Sequence, residues 1–245
     1  GSAYKEFLAG VTEQPDVKNA VEWGRALGRA SVSKAVYSEE FWKAYRTILD
    51  QYAITDVEYE ELQGWSEYEE INMLTVDAGT MATLISRAGA EMLYEEEEAC
   101  LALVVKGCEL STLNTNYGAN RRADYKICAV ETVTDLQKGE EMEVLLGAYD
   151  EKGNRLEATM PVTIAGFVDA EMIKDVAEFH SENMWIIVGP EVAKKMDAAV
   201  FGDTNATLFN WDCMIKLHRQ DGEFGKYLAE ESRNTEPGAL SVYKK

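Results

Sequence analysis

Between residues 95 and 168 the sequence contains four strand-length, largely apolar runs separated by polar and turn residues. These runs cover residues 99–105, 125–130, 142–149 and 156–168. Residues 150–154 carry the Asp, Gly and Asn that are typical of a hairpin turn, so the last two runs predict a β-hairpin. The middle of the chain is therefore predicted to be β-rich.

Helical and strand patterns are mixed on both sides of this stretch. Ser38 is the expected N-cap of one helix, and a strand that ends at Val76 runs through Asp77 into another helix, with Gly89 as its C-cap. The predicted helices cover residues 4–13, 38–51, 80–87, 170–179, 189–196 and 224–231, and the predicted strands cover 17–23, 57–62, 71–76, 184–188, 209–217 and 240–243. The fold class is therefore α+β, with a β-rich insert over 95–168 between α/β flanks at 3–94 and 169–245.

The charge of the chain excludes several classes of partner. The chain has 44 acidic and 24 basic residues, which gives a net charge of −20. Such a surface repels the phosphates of nucleic acids and does not dock on anionic lipid through a basic face. Hydrophobic residues make up 46% of the chain, enough for a core, but no apolar run approaches the ~20 residues of a membrane span.

The thiols and imidazoles predict neither a metal site nor a nucleophilic enzyme. The four cysteines, none of them in a C-x-x-C pair, are Cys100, Cys108, Cys128 and Cys213. The only histidines are His180 and His218, and no Ser or Cys lies in a nucleophile-elbow context. We expect Cys100 and Cys128 to be core residues, while the spacing leaves a disulfide open. We expect no metal and no cofactor.

The segment from Asp77 to Thr80 is the most enzyme-like motif. It resembles the loop of aspartic proteases and also the phosphate-binding turn of sugar-kinase-like ATPases, but each of these needs a second matching motif that the sequence lacks. The competing interpretation is that Asp77 and Thr80 cap the helix that follows the strand. We favour capping.

Three other features favour structural roles. Gly24 and Gly28 form a lone G-x-x-x-G, which indicates a turn or bulge rather than a dinucleotide site. Residues 95–98 are four consecutive glutamates, which form a solvated face more often than a calcium site. Trp185 lies in an apolar strand, whereas Trp65 is either a core residue or an exposed contact for a ligand.

Four segments resemble, in order, the large extracellular domain of FtsX-like ABC transporter permeases, the class that includes the periplasmic core of MacB-type transporters. They are residues 7–17, 71–89, 136–154, and 162–168 together with 184–196. The sequence has Asp16 where the family commonly has Gly, Glu140 where Asp is commoner, and Gly189-Pro190 where Ser is more usual.

This resemblance implies that the α/β part, 3–94 with 169–245, is a porter-like subdomain and that 95–168 is a second subdomain inserted into it. Both chain ends would continue into transmembrane helices, with Tyr4 and Lys245 on the same side of the molecule. The family domain has no catalytic motif. Its expected partners are its own transmembrane helices, a cytoplasmic ATPase subunit, and a peptide, lipid, lipoprotein or antimicrobial compound as substrate.

The leading interpretation is thus a non-enzymatic bacterial domain at the extracytoplasmic face of the cell membrane. It would couple ATP-driven transmembrane motion to substrate handling or signalling, with candidate hinges near residues 90–98 and 168–172. The alternative is a free-standing secreted or lipid-anchored ligand-binding protein. A third reading is an enzyme, either a hydrolase that uses Asp77 or a glycosidase with an unassigned carboxylate pair.

Overall fold

The computed structural model describes residues 2–50, 67–90, 99–113, 125–173, 183–218 and 222–234. The chain forms two compact units: one comprises Glu22–Asp212, and the other comprises both chain ends, Gly1–Val21 and Cys213–Lys245. Predictions for residues 57–62, 240–243 and most of 170–179 lie outside the described residues.

The described residues have a mixed α+β composition, as the sequence predicts. The helices are α1 (Ser2–Thr12), α2 (Glu39–Asp50), α3 (Ala78–Arg87), α4 (Ala170–Ile173), α5 (Pro190–Phe201) and α6 (Gly222–Asn234). The strands are β1 (Val17–Ala26), β2 (Arg29–Ser33), β3 (Tyr68–Val76), β4 (Leu101–Lys106), β5 (Cys108–Leu113), β6 (Tyr125–Val130), β7 (Glu141–Tyr149), β8 (Arg155–Asp169), β9 (Trp185–Val188) and β10 (Phe209–Leu217). Strands β2 and β5 are absent from the sequence-based predictions.

Six strands of the unit Glu22–Asp212 close into a barrel in the order β2–β3–β9–β4–β8–β7, with β7 pairing back to β2. The pairs β3–β9 and β4–β8 are parallel, and the other four pairs are antiparallel. Strands β5 and β6 form a separate two-stranded sheet. A closed barrel leaves its six strands without a free edge between them.

The barrel corrects the expectation of a porter-like α/β layer. Strands β4, β7 and β8 come from the predicted insert, whereas β2, β3 and β9 come from the predicted flanks, and all six belong to the same closed sheet. A closed barrel is a different architecture from a porter-like fold. The strand patterns were recognised largely correctly, but periodicity does not reveal which strands pair across long separations in sequence.

The interior of the barrel is filled with aliphatic side chains. Along β7, Met142, Val144 and Leu146 are buried and alternate with more exposed neighbours, as expected for a strand with one face turned inward. They belong to one buried cluster with inward residues of the other strands, namely Val32, Met73, Val104, Val162 and Ile186. Helices α2 and α5 contribute Phe41 and Met196 to the same cluster. The barrel is therefore a packed core.

Helix α3 packs beside β8 and the end of β9: a Cβ built on Gly166 would lie 3.2 Å from Ala88 Cβ, and one built on Gly189 would lie 3.3 Å from Met81 Cγ. The helix buries Met81, Leu84 and Ile85. It ends in a Schellman motif, in which Gly89 has φ +63° and its N–H donates to the Ser86 carbonyl at 3.0 Å. The predicted C-cap at Gly89 is thereby confirmed.

Strands β1 and β2 act as one long strand with a bulge between them. Residue Arg25 pairs with Leu74 and Ala30 pairs with Ile71, so two extra residues, Leu27 and Gly28, are accommodated opposite β3. A Cβ placed on Gly28 would lie 2.4 Å from the Gly147 carbonyl oxygen, so only glycine fits there. The predicted turn or bulge at the G-x-x-x-G is confirmed.

The start of α2 is joined to the segment after β6. The Ser38 hydroxyl accepts from the Phe41 N–H at 3.0 Å, which confirms the predicted N-cap, and the same hydroxyl donates to the Thr132 carbonyl. The Glu40 carboxylate accepts from the N–H groups of Glu131 and Thr132, both at 3.0 Å. These two hydrogen bonds lower the pKa of Glu40 below its usual value.

Candidate functional site

The Asp77 turn is the most enzyme-like motif of the sequence, and its carboxylate is engaged in structural hydrogen bonds. One oxygen, Oδ1, accepts from the Thr80 N–H at 2.8 Å. The other, Oδ2, accepts from the Thr80 hydroxyl at 2.8 Å and from the Glu22 N–H at 3.1 Å. Asp77 thus caps α3, which confirms the capping interpretation, and it also links the helix to β1 through the Glu22 N–H.

The cysteines do not assemble into a site. None of the four, all of them described residues, forms a disulfide: Cys108 is buried and Cys100, Cys128 and Cys213 are half-buried. Cys100 and Cys128 pack against the main apolar cluster, as predicted. Burial, then the charges of Glu40 and Cys128, raise the pKa of Cys108 to about 12, so its thiol is a poor nucleophile at neutral pH.

Other candidate groups are separated or lie outside the described residues. His218 follows β10, and its backbone N–H donates to the Asp16 carbonyl at 2.8 Å. His180, Trp65 and the glutamates 95–98 lie outside the described residues. Within the part of the chain that the structure describes, no three His, Cys, Asp or Glu side chains cluster as metal ligands. Trp185 is 2% exposed, as its apolar strand predicts.

The candidate site for a coupling role is the compact unit that contains both chain ends, which we call the terminal unit (Gly1–Val21 and Cys213–Lys245). The two described helices of this unit, α1 and α6, approach closely. A Cβ built on Gly10 of α1 would lie 2.7 Å from the Tyr227 hydroxyl of α6. Loss of hydration raises the pKa of Tyr227, followed by the charges of Glu231 and Glu13. The hydrogen bond from the His218 N–H to the Asp16 carbonyl also joins the N-terminal and C-terminal segments of this unit.

The terminal unit therefore holds the first and last described helices together within one folded body. Sequence reasoning found both helices but had no signal for the Gly10–Tyr227 contact, since a glycine within a helix does not reveal which side chain lies above it. The predicted placement of Tyr4 and Lys245 on one side stays a prediction, because Lys245 lies outside the described residues.

Comparison of the chain with protein-family models, with curated proteins and with solved structures finds no match in any of the three. In the described segments, none of the helices combines the length and apolar character needed to cross a bilayer.

Proposed function

We propose that this chain is the extracytoplasmic domain of an FtsX-like ABC transporter permease, a bacterial membrane protein, in which it couples ATP-driven transmembrane motion to substrate handling or signalling outside the membrane. The domain itself is not an enzyme in this proposal. Its partners are its own transmembrane helices, a cytoplasmic ATPase subunit, and a peptide, lipid or lipoprotein substrate. The proposal combines the ordered sequence resemblance with one structural observation.

That observation is the grouping of the two chain ends in the terminal unit. A domain driven by two transmembrane helices has to receive motion through both of its ends. If the ends belonged to separate bodies, relative motion of the helices would first separate those bodies. Packing of α1 on α6 at Gly10 and Tyr227 gives the two ends one shared body through which force can pass.

The remainder of the domain, Glu22–Asp212, is suited to move as a body because its barrel is closed and its interior is packed. The division into subdomains at 95 and 168, with hinges near 90–98 and 168–172, is not part of this proposal, because strands from both predicted parts belong to one closed sheet. Residues 91–98 lie outside the described residues.

The first test is the reading frame of the parent gene. The proposal expects an apolar stretch of ~20 residues before Tyr4 and another after Lys245. A single N-terminal signal with no later apolar stretch would instead favour the alternative, a free-standing secreted or lipid-anchored ligand-binding protein. Labelling of Lys152→Cys in intact cells with a membrane-impermeant maleimide then tests whether the exposed β7–β8 turn faces outward.

The second test measures coupling as ATP turnover by the parent permease with its ATPase subunit in membrane vesicles. Gly10→Ala places a methyl against the Tyr227 hydroxyl and is expected to change turnover, while Gly10→Ala/Tyr227→Phe, which lacks that hydroxyl, is expected to restore it. Gly225→Ala is the matched control on α6, because a Cβ there meets no atom of the described residues within 4 Å. Turnover that is the same in all four proteins would count against a coupling role for this contact.

A further inference from the structure

The loop between α5 and β10 carries an asparagine in a sequence that can accept a glycan. The chain contains ten asparagines, and Asn205 alone is followed, two residues later, by a serine or threonine. The residue between them is Ala206 and not proline, so Asn205-Ala206-Thr207 is the one N-x-S/T acceptor sequence of the chain. Such a sequence is modified where it is accessible to an oligosaccharyltransferase outside the cytoplasm.

The structure places this acceptor sequence at the surface. Helix α5 ends before Gly202, whose φ of +66° turns the chain out of the helix, and β10 begins at Phe209. Residues 202–207 are all exposed, whereas Leu208 and Phe209 are buried. Exposed loops with small and polar side chains tolerate bulky additions, because no packing is lost. A glycan on Asn205 would therefore extend into solvent without displacing a core residue.

An acidic side chain lies at a position that adds selectivity for a bacterial transferase. Asp203 stands two residues before Asn205, so the complete run is D-T-N-A-T. A carboxylate at this position can pair with a cationic group of the transferase, and bacterial oligosaccharyltransferases select for it in addition to the asparagine and the hydroxyl residue. Asp203 is exposed and so is accessible for this contact.

The Thr207 hydroxyl is engaged within the folded chain. It accepts from the Phe209 N–H at 3.1 Å and lies within hydrogen-bonding reach of the Asp197 carboxylate. That carboxylate also accepts from the Leu208 N–H at 2.6 Å. Because a transferase has to bind the threonine hydroxyl, the loop has to open locally or be modified before it is folded. Transfer during or soon after export meets this requirement.

On the basis of the extracytoplasmic location proposed above, we propose that Asn205 is an acceptor of an N-linked glycan, with Asp203 and Thr207 as its recognition residues. The donor is an oligosaccharide joined through pyrophosphate to a polyprenyl lipid. The bond between the sugar C1 and the pyrophosphate oxygen breaks, and its electron pair leaves with the lipid pyrophosphate. A bond forms between C1 and Asn205 Nδ2, which loses one proton to a base of the transferase.

Export of the complete chain to the periplasm of a bacterium that contains an oligosaccharyltransferase and its lipid-linked oligosaccharide tests this proposal. An added N-terminal export signal delivers the chain, and mass spectrometry of the intact protein and of its peptides detects the glycan. We expect one glycan, on Asn205, and none on Asn205→Gln. Asn154→Gln is the matched control, because Asn154 is an exposed turn residue outside any acceptor sequence, and it is expected to be modified like the parent.

Three further variants test the recognition residues. Asp203→Ala is expected to lose most of the modification, Thr207→Val all of it, and Thr207→Ser little, since serine keeps the hydroxyl. Circular dichroism establishes that each variant is folded. An unmodified Asn205 in cells that do modify a second, established acceptor protein overturns the proposal. So does a glycan that Thr207→Val leaves in place, and an Asp203→Ala chain modified like the parent removes Asp203 from it.

The outcome is independent of the test of the coupling role. The added signal exports the chain whether or not the parent gene encodes transmembrane helices, so a parent gene without them would refute the coupling role and leave this assay valid. An unmodified Asn205 would in turn leave the expected apolar stretches and the Lys152→Cys labelling unaffected.

Discussion

Replacement of Gly28 by alanine is expected to destabilise the barrel at one defined point. The added Cβ would lie 2.4 Å from the Gly147 carbonyl oxygen and 3.0 Å from Leu208 Cδ2. Ordinary contacts begin near 3.4 Å, so β1–β2 and β7 have to separate by about 1 Å. The obstructing atom belongs to the backbone of a paired strand, so no rotamer change relieves the overlap.

The magnitude follows from three contributions. Overpacking costs about 1–3 kcal/mol, and strain on one interstrand hydrogen bond adds about 1 kcal/mol. The smaller conformational freedom of alanine in the unfolded chain offsets about 0.5 kcal/mol. The net expectation is a loss of about 1.5–3.5 kcal/mol in the free energy of unfolding, a large share of the stability of a typical domain.

Urea unfolding, followed by tryptophan fluorescence and circular dichroism, measures this loss from the shift in midpoint. Gly79→Ala is the control in the same unit, because among the described residues its Cβ meets only Asp77 Oδ1, at an ordinary 3.4 Å. That control is expected to be neutral or to stabilise by up to about 1 kcal/mol, as alanine does in a helix. A Gly28→Ala protein within about 0.5 kcal/mol of the parent would refute the close-approach argument.

Three further changes test other parts of the same unit by urea unfolding. Thr75→Val is expected to stabilise by about 1 kcal/mol, because the Thr75 hydroxyl is fully buried and finds no hydrogen-bond partner among the described residues; a loss of stability would mean that it has one. Asp77→Ala is expected to cost about 1–2 kcal/mol, whereas Asp77→Asn keeps most of the cap; equal losses would contradict the capping role. For Glu40, whose folded pKa is lowered, the stabilisation is present above the usual value of 4.5 and is lost as pH falls through the folded pKa. The stability advantage over Glu40→Gln should therefore shrink on acidification below 4.5, and an advantage that is independent of pH there would exclude the mechanism.

Features that depend on a few neighbouring residues could be predicted from the sequence. The cap by Asp77, the cap by Ser38 and the left-handed Gly89 each follow from one residue and its next turn, and each is present in the structure. Strands with continuous apolar runs, such as β4 and β9, could also be recognised. Local hydrogen bonding and burial are sufficient in these cases.

Features that depend on distant parts of the chain could not be predicted from the sequence. Strand β2 has the sequence RASVS, in which only Ala30 and Val32 face the core, too short an alternation to stand out. Its place in the sheet depends on pairing with β3 and β7, which follow far along the chain. Closure of the barrel is a property of all six pairings together, so recognising the strands singly did not reveal that the predicted insert and flanks contribute strands to the same closed sheet.

The exposed positions of Leu27 and Tyr149 could not be predicted either, because large apolar residues in or next to strands are expected to face the core. Leu27 lies in the bulge beside Gly28, whereas Tyr149 lies on the outward face of β7, where buried and more exposed residues alternate. Substitutions at Leu27 and at Gly28 therefore test the exposed side chain and the bulge separately. Leu27→Asp changes a solvent-facing side chain and should leave stability nearly unchanged. Gly28→Ala changes the bulge itself, so it should lower stability and also redirect Leu27. If Leu27→Asp instead lowered stability as much as Gly28→Ala, Leu27 would be a packing residue, and the argument that the bulge holds its side chain in solvent would fail.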